Sequence, residues 1–100
     1  MIIRYTSPVD AFVIEGIDLT GCVVWVSYEQ GQRQLDVPAE VSYDGSDTHL
    51  SVHLSQEETG LFFEGVVSVQ VNWIYPDGQR DATKVLDGCE WGRNLIDRVM

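Results

Sequence analysis

Residues 54–89 read LSQEETGLFFEGVVSVQVNWIYPDGQRDATKVLDGC, and this stretch decides the fold class. A capped turn, a long alternating strand, a Pro-Asp-Gly turn and a returning strand follow one another without a gap. Successive side chains of a strand point to opposite faces, so the alternation predicts one buried face and one wet face. The apolar set is Val67, Val69, Val71, Trp73 and Tyr75, and the polar set is Ser68, Gln70 and Asn72. This pattern predicts half of an antiparallel β-sandwich or barrel.

The preceding residues continue the pattern of short strands. Cys22 to Glu29 is a β-branched and aromatic run typical of a central strand, with Val24, Val26 and Tyr28 on one face and Val23 and Trp25 on the other. Gln34 to Tyr43 is extended but interrupted at Pro38, which predicts one edge strand. Asp44 to Asp47 is a hairpin signal, and in the strand after it Thr48, Leu50, Val52 and Leu54 alternate with His49, Ser51 and His53.

Two helical features interrupt this pattern. Ser55 and Glu58 have the spacing of a capping box, which predicts a short helical corner near residues 55–60. Trp91 to Met100 has the apolar spacing of a short amphipathic helix. The expected architecture is all-β: an antiparallel β-sandwich of seven to eight strands that forms a single domain over residues 1–100.

Composition limits the function classes. The chain has 100 residues and a formal net charge of −10, from 16 acidic and 6 basic residues. Because nucleic-acid affinity comes chiefly from Lys and Arg, this balance argues against DNA or RNA as a partner. No apolar run approaches the roughly 20 residues of a membrane span, and the amino end does not resemble a secretory signal. We therefore expect that the protein is synthesised in a cytoplasm and does not associate with a membrane.

The sequence is compatible with two states of Cys22 and Cys89, a disulfide or two free thiols. A disulfide between them would close a long loop and stabilise the fold by roughly 4 kcal/mol. The cytoplasmic expectation instead favours two buried, reduced thiols that act as small hydrophobes.

Residues capable of chemistry do not cluster in the sequence. His49 and His53 would lie roughly 13 Å apart on a strand, too far to share a metal ion, and Asp44, Ser46 and Asp47 supply too few ligands for an EF-type calcium loop. Neither thiol lies in a turn or near a histidine in the sequence, and no phosphate-binding glycine loop is present. We expect no catalytic, cofactor-binding or metal-binding residues.

The tryptophans indicate packing or binding surfaces. Trp25 and Trp73 each share a face with valines, so we expect core positions, with a sugar-binding platform as the alternative. Trp91 lies outside the alternating strands and either folds back over an open end of the sandwich or docks on a neighbouring subunit. The candidate interface residues are Trp91, Leu95, Ile96, Val99 and Met100.

The segments "LSQEET", "VVSVQVNW", "PDG" and "RDAT" resemble small virion proteins of tailed phages that infect Gram-positive bacteria. In particular they are similar to the immunoglobulin-like amino-terminal domain of baseplate upper proteins, over about half of the chain. Those proteins continue into stalk and fibre-binding regions, whereas this sequence ends at Met100. We therefore expect from the resemblance a stand-alone connector, accessory or tail-associated domain.

The resemblance predicts a non-enzymatic phage structural or assembly module, associated with the tail or baseplate. It implies location in the virion, presence in the host bacterial cytoplasm during assembly, and partners among other virion or tail proteins or further copies of the chain. The alternative is a carbohydrate-binding or host-adhesion module of the β-sandwich type.

Overall fold

A computed structural model describes residues 1–100 and contains nine strands and one helix. The elements in chain order are β1 (Ile2–Ile3), β2 (Val9–Glu15), β3 (Val23–Gln30), β4 (Arg33–Pro38), β5 (Glu40–Tyr43), β6 (Asp47–His53), α1 (Gln56–Gly60), β7 (Gly65–Ile74), β8 (Arg80–Ala82) and β9 (Leu86–Gly92). The all-β prediction is confirmed, although the number of strands exceeds the seven to eight expected. The helix has five residues, and no helix of this protein is long and apolar enough to cross a membrane.

The strands form two sheets. Sheet A has six strands in the order β1-β9-β7-β3-β4, with β8 pairing on β7, and sheet B has the order β2-β6-β5. Every pairing is antiparallel except that of β1 with β9, so the expectation of a purely antiparallel fold is wrong at this edge. One hydrophobic core unites buried residues of both sheets, among them Val26 and Val71 of sheet A and Leu50 and Val52 of sheet B.

The alternation predicted for the two longest patterns is confirmed. In β7 the side chains of Val67, Val69, Val71 and Trp73 are buried, and in β6 those of Thr48, Leu50 and Val52 are buried, with Leu54 just beyond the strand. The histidines of β6 are exposed. Tyr75 follows the end of β7 and is only half-buried, because its backbone already belongs to the turn that Gly78 closes.

The helical corner is also confirmed. Ser55 is the N-cap of α1: its hydroxyl accepts a hydrogen bond from the Glu58 amide, and the Glu58 carboxylate accepts one from the Ser55 amide, at 3.1 and 2.8 Å. These two bonds satisfy amides that a helix start leaves without partners. The corner connects β6 of sheet B to β7 of sheet A.

The segment from Gln34 to Tyr43 is two edge strands rather than one. The chain leaves sheet A after Pro38 and enters sheet B at Glu40, where β5 pairs with β6. Ala39, between the two strands, is still bonded to sheet A, since its amide donates to the carbonyl of Val24 at 3.0 Å. Proline, which has no amide hydrogen, is tolerated at such a strand end.

The predicted carboxy-terminal helix is wrong. After β9 the chain has only bends and irregular backbone through Met100. The amide of Ile96 donates instead to the side chain of Asn94 at 3.0 Å, a local turn that competes with helical bonding.

Candidate functional sites

Trp91 belongs to the core and not to an interface, which corrects the prediction for this residue. It lies in β9, and its side chain is 1% exposed. Its indole meets the rings of Tyr28 and Phe62 edge-on, with centroid distances of 5.8 and 5.1 Å. The indole Nε1 donates to the carbonyl oxygen of Thr59 at 2.8 Å. Of the two alternatives for Trp91, the structure shows the inward one.

The four other candidate interface residues are at the surface. Leu95 and Met100 are 88% and 80% exposed, and Ile96 and Val99 are 43% and 46% exposed. We define these four residues as the carboxy-terminal apolar segment. It adjoins further exposed apolar groups, because Leu95 lines a hollow of about 420 Å³ together with Phe63.

Polar contacts hold this segment against the domain. The Arg4 guanidinium donates to the Asp97 carboxylate at 2.6 Å, and the Asn94 amide donates to the Arg4 carbonyl at 2.9 Å. The backbone amide of Met100 donates to the Gln56 side chain at 2.7 Å. The exposed apolar side chains are therefore presented on a fixed backbone and do not depend on a helix.

Arginines surround the aromatic side chain of the adjoining hollow. The guanidinium carbons of Arg4 and Arg33 lie 4.6 and 4.5 Å from the centroid of the Phe63 ring. Contacts of this kind stabilise a cation over an aromatic face. Phe63 is nevertheless 47% exposed, and the hollow beside it is lined by charged residues of both signs: Arg4, Arg93, Glu64 and Asp97.

A second concave region lies on the face of sheet A that points away from the core. Three rows of residues cross the strands in register, and the space above them has a volume of about 510 Å³. We define this region as the outer groove, and Arg80 and Val85 border it. From β4 through β3 to β7, the rows are Pro38-Trp25-Asn72, Asp36-Ser27-Gln70 and Gln34-Glu29-Ser68.

The position of Trp25 corrects a further prediction. The side chains of β3 alternate between its two faces as predicted, but the face that enters the core is the one with Val24, Val26 and Tyr28. Trp25 is therefore on the opposite face, half-buried, and lines the outer groove. Trp73, in contrast, has the predicted core position and is 5% exposed.

Hydrogen bonds fix the middle row of the outer groove. The Asp36 carboxylate accepts hydrogen bonds from the Ser27 hydroxyl at 2.5 Å and from the side-chain amide of Gln34 at 3.1 Å. These bonds, the one from Ser27 first, lower the pKa of Asp36, so the carboxylate remains charged. Across the groove the side-chain amide of Gln70 donates to the backbone carbonyl of Thr83 at 2.9 Å. This bond connects β7 to the segment after β8.

The histidines form separate pairs on the outer face of sheet B. His49 Nε2 lies 2.7 Å from Asp44 Oδ2, and His53 Nε2 lies 3.6 Å from Glu40 Oε2. No group of three or more His, Cys, Asp or Glu side chains has the arrangement of a metal site. The Asp44–Asp47 segment forms the predicted hairpin, with the Asp44 amide donating to the Asp47 carbonyl at 3.1 Å.

Cys22 and Cys89 are free thiols. Both are half-buried and pack against the hydrophobic core, so the expectation of buried thiols is met only in part. Burial raises the pKa of the Cys89 thiol, and the charge of Asp10 raises it further. A thiol with a raised pKa is a poor nucleophile, because the thiolate is the reactive form.

Most residues of the outer groove were not predicted as site residues. Asp36, Gln70, Asn72 and Arg80 come from three strands, and only the cross-strand register brings them together. The sequence feature that could have indicated the groove is the run of polar residues at the outward positions of β7. The same feature is typical of a strand face that contacts only water, so it does not distinguish a binding site.

Comparison with protein-family models, curated proteins and solved structures finds no match to this chain in any of the three.

Proposed function

We propose that this protein is a non-enzymatic structural or assembly module of a tailed-phage virion, associated with the tail or baseplate, that acts through protein–protein contacts. The observation that carries the proposal is the carboxy-terminal apolar segment, whose side chains are exposed on a backbone that polar contacts hold in place. Its partners are neighbouring virion proteins or further copies of the same chain. The protein would be present in the host cytoplasm during assembly and afterwards in the virion.

Several exposed apolar side chains lie at this end of the molecule. Leu95 and Phe63 line the same hollow, and the side chain of Met1, a residue that is 80% exposed, lies beside Gly92. Single exposed apolar residues are normal on soluble proteins, whereas contiguous patches mark interaction sites. Arg33, which is exposed beside Phe63, adds the residue type that is enriched in interfaces.

The strand order supports an immunoglobulin-like assignment of the sandwich. In immunoglobulin folds, strands B, E and D share one sheet, while C, F and G share the other with C′ added in variable-type domains. Here β2, β6 and β5 have the positions of B, E and D, and β4, β3, β7 and β9 have those of C′, C, F and G. β1 adds beside β9 in parallel. The Tyr28, Phe62 and Trp91 rings fill the core without an intersheet disulfide.

The residues that carry the phage resemblance have structural roles in this fold. Ser55 and Glu58 cap α1, and the carbonyl of Thr59 accepts the bond from Trp91. Gln70 and Thr83, which come from two separate segments of the resemblance, bond to one another. The similarity therefore concerns a scaffold, which is what a virion module would share with baseplate domains.

The arrangement of reactive groups supports a non-enzymatic role. Each histidine pairs with a carboxylate on an exposed strand face, and neither pair adjoins a concave site. Nucleophilic catalysis requires a base beside a nucleophile, with a third group that orients the base. The raised pKa of Cys89 also argues against a reactive thiolate at this position.

Light scattering and co-purification test the proposal. We expect the purified chain to form oligomers, or a stable complex with co-expressed tail and baseplate proteins of the same phage. Replacement of Leu95 and Met100 by Asp should abolish that association without unfolding the domain. The matched control is Val13→Asp, since Val13 is 52% exposed on sheet B. A wild-type chain that is strictly monomeric at high concentration and joins no complex with those proteins would overturn the proposal.

A further inference from the structure

The outer groove has the volume of a small-molecule site, with a mostly polar lining. Its volume of about 510 Å³ lies within the range of roughly 300–1,000 Å³ typical of ligand pockets. Adjacent strands are about 4.8 Å apart, so the three strands of its floor span about 10 Å. Only three of its eleven lining residues are hydrophobic, which excludes an apolar ligand as its main occupant.

The groove holds polar groups that other residues of the protein do not bond. The Asn72 side-chain amide and the Arg80 guanidinium form no hydrogen bond or ion pair with other residues, although both line the groove. Asp36 uses Oδ1 for its bonds to Ser27 and Gln34, so Oδ2 remains available as an acceptor. Asp36 on β4 and Asn72 on β7 are separated by β3, so a ligand that bonds to both must extend over roughly 10 Å.

Charge narrows the class of ligand. Glu29 and Asp36 place two carboxylates in the groove against the single guanidinium of Arg80, and the whole chain has a net charge of −10. A phosphate, a nucleic acid or an acidic glycan would be repelled. A metal ion is also disfavoured, because no three acidic or other metal-ligating side chains converge.

Trp25 supplies the apolar part of the site. It lies in the row between Pro38 and Asn72 and contributes part of its surface to the groove. An indole combines a large flat apolar area with little side-chain entropy, so a ring with C–H groups on one face can pack against it. A pyranose presents such a face and carries hydroxyl groups at its edge.

From these features we propose that the outer groove binds a neutral oligosaccharide, with a sugar ring against Trp25 and hydroxyl groups bonded to Asn72, Asp36 and Arg80. This site is separate from the carboxy-terminal apolar segment. Sugar binding and protein assembly can therefore be lost independently of one another.

Titration of the ¹⁵N-labelled chain with cellohexaose, maltohexaose and chitohexaose, followed by NMR, tests the inference. At ~10 mM sugar, where even a millimolar dissociation constant gives substantial occupancy, at least one of the three should shift the Trp25 indole and Asn72 amide signals. Trp25→Ala and Asn72→Ala should each weaken that binding about tenfold or more, and Trp25→Tyr, which keeps an aromatic face, should retain most of it.

His53→Ala is the matched control, because His53 is exposed on the outer face of sheet B. It should leave the titration unchanged, and Asn72→Ala keeps the test valid if Trp25→Ala fails to fold. The inference is overturned if none of the three sugars shifts these signals, or if the shifts survive both alanine variants. Binding of polygalacturonate, or of an extended peptide along β4, that is stronger than binding of all three neutral sugars would equally overturn it.

Discussion

The indole nitrogen of Trp91 donates a hydrogen bond to the backbone carbonyl of Thr59, which joins the last strand of the chain to the helical corner. The bond is buried, so Trp91→Phe leaves the Thr59 carbonyl without its partner, at a cost of about 1–3 kcal/mol. Trp91→Ala also removes the contacts with Tyr28 and Phe62 and should cost about 3–5 kcal/mol. Urea unfolding measures both values.

Leu95→Ala is the control for this prediction, because Leu95 is 88% exposed. Its effect on the free energy of unfolding should stay within about 0.5 kcal/mol. Equal effects of Leu95→Ala and Trp91→Ala would contradict the division between core and surface residues at this end of the chain.

The capping box at α1 predicts a second stability effect. Ser55→Ala removes the hydroxyl that accepts from the Glu58 amide and should destabilise the domain by about 1 kcal/mol. Ser42→Ala, at an exposed strand position, provides the comparison in the same denaturant experiment. If the two variants unfold at the same urea concentration, the box does not stabilise the fold.

The Tyr28 hydroxyl donates to the Asp10 carboxylate at 2.8 Å, and this pair predicts a loss of stability at alkaline pH. Burial chiefly, and Asp10 next, raise the pKa of Tyr28 well above its usual range. The folded chain thus keeps the phenol protonated, while an unfolded tyrosine ionises near pH ~10. The stabilisation is complete below that pH and is lost as the pH rises above it.

As the pH rises past about 10, the urea midpoint of Tyr28→Phe should therefore fall less than that of the wild type. Near neutral pH the same variant should be less stable by about 1.5–3 kcal/mol, because Asp10 loses a bond to its charged group. A wild-type midpoint that does not change as the pH rises past about 10 would contradict the role of Tyr28.

Asp44 predicts the opposite pH dependence. Hydrogen bonds from the Asp47 amide, the His49 ring and the Ser46 amide lower the pKa of Asp44 to about 2. Since an unfolded aspartate has a pKa of about 3.9, the stabilisation from Asp44 is present above that pH and is lost as the pH falls toward 2.

Direct NMR titration of the Asp44 carboxyl carbon should give a midpoint near pH 2. Asp44→Asn should reduce the acid-induced loss of stability, whereas Ser42→Ala, at an exposed position of β5 in the same sheet, should not. An ordinary midpoint for Asp44 would show that the hairpin bonds do not persist in solution.

The strands with strict alternation were predictable from the sequence, because only one face of β6 or β7 offers a continuous apolar set. The face of β3 that enters the core was harder to assign. Val23 and Trp25 compete there with Val24, Val26 and Tyr28, and the choice depends on the sheet that covers the strand. Local spacing contains no information about that partner.

The carboxy-terminal segment shows a second limit of local patterns. Leu95, Ile96 and Val99 have helical spacing, but the amide of Ile96 donates to the side chain of Asn94, and this local turn replaces the helical bonding. The contact between Arg4 and Asp97, which fixes the observed backbone, joins residues from opposite ends of the sequence. The outer groove escaped prediction for the same reason, since its rows exist only once β4, β3 and β7 are in register.

The parallel pairing of Ile2 with Trp91 has a consequence for biosynthesis. On the ribosome, β1 emerges first and stays without its partner until β9 has been translated. All strands of sheet B lie between Val9 and His53, so the nascent chain can assemble that sheet earlier. Contacts between residues so distant in sequence close slowly, and we expect docking of β1 to be among the last steps of folding.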